Sequence, residues 1–226
     1  MIPPAAIIAL AVALPAGILG AVAVSNRRRR EALREFAEQR GYHFEPKRPR
    51  AEQALGEAFP IFKRGHNKSW GSTISGQVGG KAFIAFEYSY VTGGGNSSHR
   101  HPLAVMLWEA PERSLPRFSL APEGFWRRIA QRFGAQDFDF ENDEEFSRAY
   151  ELQGDDEAAV RALFTAARRA YLVAQGPDGS VPRHHLAGAG SRLLWWRTGR
   201  LPTPDGMDQF IADGDRVRRL FMEERG

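Results

Sequence analysis

Between Ile2 and Ser25 the chain carries no charged residue, and the run IPPAAIIALAVALPAGILGAVAV is followed within two residues by Arg27, Arg28, Arg29 and Arg30. A helix rises about 1.5 Å per residue, so this stretch reaches roughly 35 Å, enough to cross a hydrocarbon core of roughly 30 Å. A cleaved secretory signal carries its positive charge ahead of the apolar run, and here the charge comes after it. The positive-inside rule keeps the four arginines in the cytoplasm. The expectation is therefore an uncleaved single-pass anchor over 2–25 in the inner (plasma) membrane, with the N-terminus outside and everything after Arg30 inside. Arg27, Arg28, Arg29 and Arg30 are the membrane-orienting residues, and the lipid bilayer is the first expected partner. Pro15 predicts a kink, which a bilayer tolerates. Ala13, Gly17 and Ala21 repeat small residues every four positions, a pattern that lets two such helices self-associate.

Charge divides unevenly along the 226 residues. The whole chain is +4, but residues 27–50 hold nine Lys and Arg against four Asp and Glu, which leaves 22 basic and 23 acidic residues to 51–226. The basic character is a collar at the membrane, and the remainder is near neutral. Nucleic-acid binding needs a basic face, so no nucleic-acid partner is expected. With no cysteine, disulfides, thiol nucleophiles and cysteine-ligated metals are excluded. A composition of 42% hydrophobic and 11% aromatic residues is that of a folded domain.

After the anchor, 26–50 reads as a basic juxtamembrane helix and connector. Leu33, Phe36 and Ala37 share one face of that helix, and Gly41 sits where it should end. The stretch KRPRAEQALGEAFPIF, with Pro49 and Pro60, reads as a linking segment. The cytoplasmic domain then spans 51–226. WGSTISGQV and KAFIAFEYSYV flank a Gly79-Gly80 turn as a hairpin, and HPLAVMLWEA adds a third antiparallel strand. LPRFSLAP reads as one more strand and FWRRIAQRF as a short helix. DFDFE alternates as a half-buried strand and EFSRAYELQG as another. One long helix is expected from Asp155 through Tyr171, then a second hairpin through SRLLWWRTG and a final helix from Pro204, weakened in the middle by Gly214. The fold class is α+β: an N-terminal transmembrane helix followed by a largely antiparallel sheet packed with three to four helices on one side.

The strand pair GQVGGKAFIAFEYSY, in which Gly76, Gly80, Phe83, Phe86, Tyr88 and Tyr90 recur at set spacings, and the segment NDEEFSRAYELQGDDEAAVRALFT from Asn142 to Thr165 carry a resemblance. Together with the anchor, the chain resembles an uncharacterised bacterial family of membrane-anchored domains of unknown function. The resemblance implies an α+β cytoplasmic domain on an anchor and implies no activity.

The catalytic patterns tried all fail. His99 and His101 share a strand face and could supply two metal ligands, but His184 and His185, being adjacent on a strand, point to opposite sides. The acidic run from Asp137 lacks the glycine and glutamate of a calcium loop, since its sixth and twelfth positions are Asn142 and Arg148. Gly93-Gly94-Gly95 lacks a P-loop lysine, and no G-x-S-x-G elbow occurs. No catalytic, cofactor-binding or metal residue is therefore assigned, and no cofactor is expected. Trp195 and Trp196 are the candidate partner surface, because adjacent strand residues face opposite ways and one indole should look outward. The function expected is a tethered binding or scaffolding module with a protein partner. The alternative is a membrane-tethered hydrolase built on His99, His101, Asp137 and Asp139.

Overall fold

The structure, a computed structural model, describes residues 4–47, 52–125, 136–140, 142–174 and 184–223, with the backbone alone for 4–20, 52–54, 96, 136 and 137. A 36-residue helix, α1 (Pro4–Gln39), leads into the domain and is unbroken at Pro15. It stops where a left-handed residue is needed. Gly41 has φ +68°, and the amides of Gly41 and Tyr42 cap the last turn on Glu38 and Ala37. The second half of α1 buries Leu33, Phe36 and Ala37 against the sheet. Among the described residues no helix is long and apolar enough to cross a membrane. Most of the expected span at 2–25 lies outside the described side chains. The part that is described, 21–25, is exposed, and Val22 and Val24 are the exposed large apolar residues there.

Nine strands form one antiparallel sheet: β1 (His43–Glu45), β2 (His66–Val78), β3 (Lys81–Thr92), β4 (His99–Glu109), β5 (Leu115–Pro122), β6 (Gln136–Asp137), β7 (Tyr150–Gly154), β8 (His185–Gly190) and β9 (Arg192–Thr198). Their order is β1-β2-β3-β4-β9-β8-β5-β7-β6. The first four strands follow one another as a meander. The β2–β3 turn is the expected one, with both Gly79 and Gly80 at positive φ. The β8–β9 hairpin, which comes late in the chain, inserts between β4 and β5, so that Val105 lies beside Trp196 and Ser119 beside Ala187.

Both faces of the sheet are covered. On one face pack α1 together with α3 (Glu144–Ala149), α4 (Glu157–Leu163), α5 (Ala166–Val173) and α6 (Pro204–Met222), burying Phe83, Met106, Trp108, Leu193 and Trp195. The other face buries Trp70, Phe86, Tyr88, Val105 and Trp196 under α2 (Glu52–Ala58) and the 3-10 turn Pro60–Lys63. The stretch read as a linker is thus a structural layer, with Phe59, Ile61 and Phe62 almost fully buried. The expectation of helices on one side only is corrected. So is that of an outward-facing indole: Trp195 and Trp196 do point to opposite faces, but each face has its own cover, and they are 0% and 1% exposed.

Three element readings also change. Glu144–Ala149 is a helix rather than the start of a strand, because Asp143 caps it by accepting from the Phe146 amide. The long helix after Asp155 is two helices, since Thr165 caps α5 separately by accepting from the Arg168 amide. The strand read from DFDFE shrinks to the two residues of β6, beyond which Phe138 is buried and Asp139 exposed. The helix expected at FWRRIAQRF lies, beyond its first residue, outside the described residues.

Candidate functional site

Among the concavities that described residues line on the domain, two bring together groups distant in sequence. The first begins where α1 leaves it. Glu87 on β3 accepts from Arg29 at 2.8 Å and from Arg200 at 3.3 Å, Arg200 also donates to Asn26 at 3.0 Å, and Arg29 reaches the Leu201 carbonyl. This clasp fixes the helix to the sheet a few residues below the apolar run. Burial draws the Arg29 guanidinium below the usual arginine range, and Glu87 opposes that pull. Beside the clasp, a cavity of about 540 Å³ is lined by Arg30, Lys47, Arg100 and Arg200, with Glu87 as its carboxylate among the described residues. The four arginines expected to orient the chain in a membrane therefore part company. Arg29 is built into the fold, Arg30 lines the cavity, Arg27 pairs with Glu31, and Arg28 is exposed.

The second concavity, of about 680 Å³, lies over β3, β4, β8 and β9, and Arg64 is its central group. Arg64 ends the Pro60–Lys63 turn, and the next residue, Gly65 (φ +62°), presses the chain onto β3 so closely that a β-carbon there would meet the Tyr90 ring at 2.9 Å. The geometry forces the Arg64 side chain inward. Its guanidinium lies 5.0 Å from the Tyr90 ring centre and 4.7 Å from that of Phe125, it is 8% exposed, and among the described residues its Nε and Nη1 have no hydrogen-bond partner. Burial draws it below the usual arginine range, with Tyr90 opposing; the same burial pushes the Tyr90 phenol up.

Three of the sequence's histidines meet in this cavity. His101 is the cross-strand partner of Tyr90 and stacks on it at 4.9 Å, with Nε2 2.7 Å from the Thr92 hydroxyl. Burial, then Arg64, then His99 pull its pKa below the ordinary value. His185 packs edge-on against Phe125 at 4.9 Å and 5.3 Å from Trp196. His184, the residue before β8, stacks near Tyr171 and is brought down to about 4, by burial first and Arg197 second, against the pull of Asp213. Arg64 and Arg197 thus each disfavour the protonated form of a neighbouring imidazole. Arg197 is paired with Asp213. His99 and Asp139 are exposed and are not among the described residues that line the cavity, while the side chain of Asp137 lies outside the described residues. Among the described residues no group of three or more His, Asp or Glu could hold a metal ion.

Arg64 is absent from the sequence reading. The signal was there: FPIFKRG is too apolar for a solvated linker, and an arginine at the end of a buried turn is held where its stem is covered.

Fold and site together define an antiparallel α+β domain, covered on both faces, with a cationic aromatic cavity. No protein-family model matches the chain, and no curated protein matches it. Among solved structures it is similar to the crystal structure of the mycobacterial trehalose monomycolate transport factor A, TtfA, with a TM-score of 0.53 and 12% identity over 88% of this chain and 97% of that one. At that identity the likeness is one of fold.

Proposed function

We propose that this chain is a single-pass inner-membrane protein whose cytoplasmic domain is a tethered binding module. The observation that carries the reading is the continuity of α1. One helix runs from Pro4 to Gln39, its apolar part ends at the exposed Val22 and Val24, and five residues after Val24 it is clasped to the sheet through Arg29 and Glu87. A helix clasped so near its membrane exit holds the domain against the bilayer. The cationic cavity lined by Arg30, Lys47, Arg100 and Arg200 then faces an anionic leaflet, where each basic residue near the surface contributes about 1 kcal/mol of attraction. TtfA is a trehalose monomycolate transport factor, and the corresponding proposal here is an accessory role in moving an amphiphilic molecule at the membrane.

The absence of native cysteine gives a direct test. Single cysteines at Pro3 and Gly94 are labelled with an impermeant maleimide in spheroplasts. Labelling at position 3 alone, with position 94 reacting only after lysis, is the expected result. Labelling at position 94 in intact spheroplasts, or release of the chain by an alkaline carbonate wash, refutes the reading.

The convergence of His101, His184 and His185 favours one second reading, a membrane-tethered hydrolase. It requires turnover of an ester such as p-nitrophenyl octanoate that His101→Ala abolishes.

A further inference from the structure

We propose that the Arg64 cavity binds an oxyanion carried on an apolar body, the carboxylate or phosphate of an amphiphile, with the head against Arg64 and the body against Tyr90, Leu103, Pro122 and Phe125. This rests on the reading of the domain as a binding module, and not on its topology.

Three independent observations converge on it. The first is the state of Arg64. A guanidinium does not shed its proton under ordinary conditions, and a buried charge without a counter-charge is strongly disfavoured. Two aromatic faces and the Tyr90 hydroxyl recover part of that cost, but not every guanidinium N–H finds an acceptor. Among the described residues, Nε and Nη1 are without one. The only carboxylate among the described lining residues is Glu123, which is exposed and itself engaged. The forces acting on Arg64 are burial and Tyr90.

The second observation is the space. The cavity of about 680 Å³ falls in the range of small-molecule sites, roughly 300–1,000 Å³, and it mixes apolar walls with a few polar groups that converge. The third is the sign of the field. Arg64 and Arg197 both line the cavity and Glu123 is the one carboxylate among its described lining residues; beside the larger effect of burial, each arginine disfavours protonation of a neighbouring imidazole, for His184 against Asp213. An anion accepts from Arg64, whose Nε and Nη1 have no acceptor among the described residues, with His101 and Thr198 beside it in the lining.

The ligand could come from the membrane, as a lipid headgroup, or from the cytoplasm, as a soluble amphiphilic acid, and the two share this chemistry. The test is calorimetric titration of the full chain in dodecyl maltoside micelles with four probes: dihexanoyl phosphatidic acid, octanoate, octanamide and inorganic phosphate. Saturable binding at one site per chain of phosphatidic acid assigns the lipid source, and of octanoate the soluble one; either supports the inference. Octanamide, which keeps the body and lacks the charge, should not bind, and inorganic phosphate should bind at least tenfold more weakly. Arg64→Gln should weaken the positive arm by about tenfold to a hundredfold, the range of a charge-assisted hydrogen bond.

Because Arg64 is buried, Thr198→Glu serves as a second variant. It places a negative charge at the exposed rim and should weaken the anion roughly tenfold without touching the core. The ring resonance of His101, assigned with His101→Gln, should shift on titration with whichever acid binds. The inference is overturned if neither acid binds, if octanamide binds as well as octanoate, if phosphate binds as tightly as the amphiphiles, or if both variants bind like the parent. None of these results bears on the cysteine labelling, so the ligand inference and the anchor can fail separately.

Discussion

Gly214 in α6 tests the fold at its tightest point. A β-carbon added there would lie 2.5 Å from Met106 Sδ, 2.9 Å from the Trp108 ring and 3.1 Å from the Trp195 ring. These three side chains are 0%, 1% and 0% exposed, on the paired strands β4 and β9, and have little room to withdraw. Carbon atoms in contact prefer roughly 3.5–4.0 Å, so Gly214→Ala must lift α6 by an appreciable part of an ångström or push the rings aside. Overpacking of this kind costs about 1–3 kcal/mol, and three simultaneous overlaps with buried neighbours put it near the upper end. Against this, alanine gains about 1 kcal/mol of helix propensity over glycine. The net expectation is a loss of about 2 kcal/mol, which in a domain of this size lowers the melting temperature by roughly 4–8 °C. Gly56 in α2 is the matched control. A β-carbon there meets nothing within 4 Å, so Gly56→Ala should stabilise by roughly 0.5–1 kcal/mol. Thermal unfolding of the full chain in micelles, followed by far-ultraviolet circular dichroism, measures both. If Gly214→Ala raises the melting temperature as Gly56→Ala does, α6 does not approach the sheet as described.

Other consequences follow from single groups. Asp215 accepts from Arg218 at 2.7 Å and from Arg219 at 3.4 Å, while Arg218 also holds Glu223 at 2.9 Å. Asp215→Ala leaves a guanidinium 3% exposed with one remaining partner, and should cost about 3 kcal/mol in urea unfolding; a loss below about 1 kcal/mol would contradict the pairing. His184 is held near 4 in the folded chain against an ordinary 6.5, so the unfolded chain takes up the proton first. Its contribution is complete above pH 6.5 and is lost as pH falls toward 4, by about 3 kcal/mol in all. His184→Gln should flatten that acid limb relative to the parent, and parallel stability curves would refute the shift. Glu87→Gln removes the charge that clasps Arg29 and Arg200, and hydrogen exchange should then quicken over residues 26–33 while the β2–β3 amides stay protected. Equal protection in parent and variant would mean that the packing of Leu33 and Phe36 holds the helix unaided.

Local pattern carried much of the fold. The Gly79-Gly80 hairpin, the three-strand meander, the cap at Gly41 and the buried stripe of α1 are each set by residues within a few positions of one another, where turn geometry and side-chain period decide. The errors lie where two conformations compete locally and a distant partner chooses. EFSRA alternates well enough for a strand, but Asp143 accepts the Phe146 amide and its other oxygen holds Arg169 at 2.7 Å, and the helix wins. The cavity was illegible for a related reason. Arg64, His101 and His184 are separated by dozens of residues, and each looks like an ordinary surface group in its own neighbourhood.

The sequence by itself determined that an uncharged run of two dozen residues precedes a basic collar and a near-neutral antiparallel α+β domain, because charge and hydrophobic period are properties of consecutive residues. Tertiary structure alone decided three things. The late β8–β9 hairpin slots between β4 and β5. The supposed linker roofs the second face, so that both tryptophans of the Trp195-Trp196 pair are enclosed. Arg64 is buried against two rings, with its Nε and Nη1 lacking acceptors among the described residues. Burial depends on what covers a residue from elsewhere in the chain, and no window of sequence contains that information.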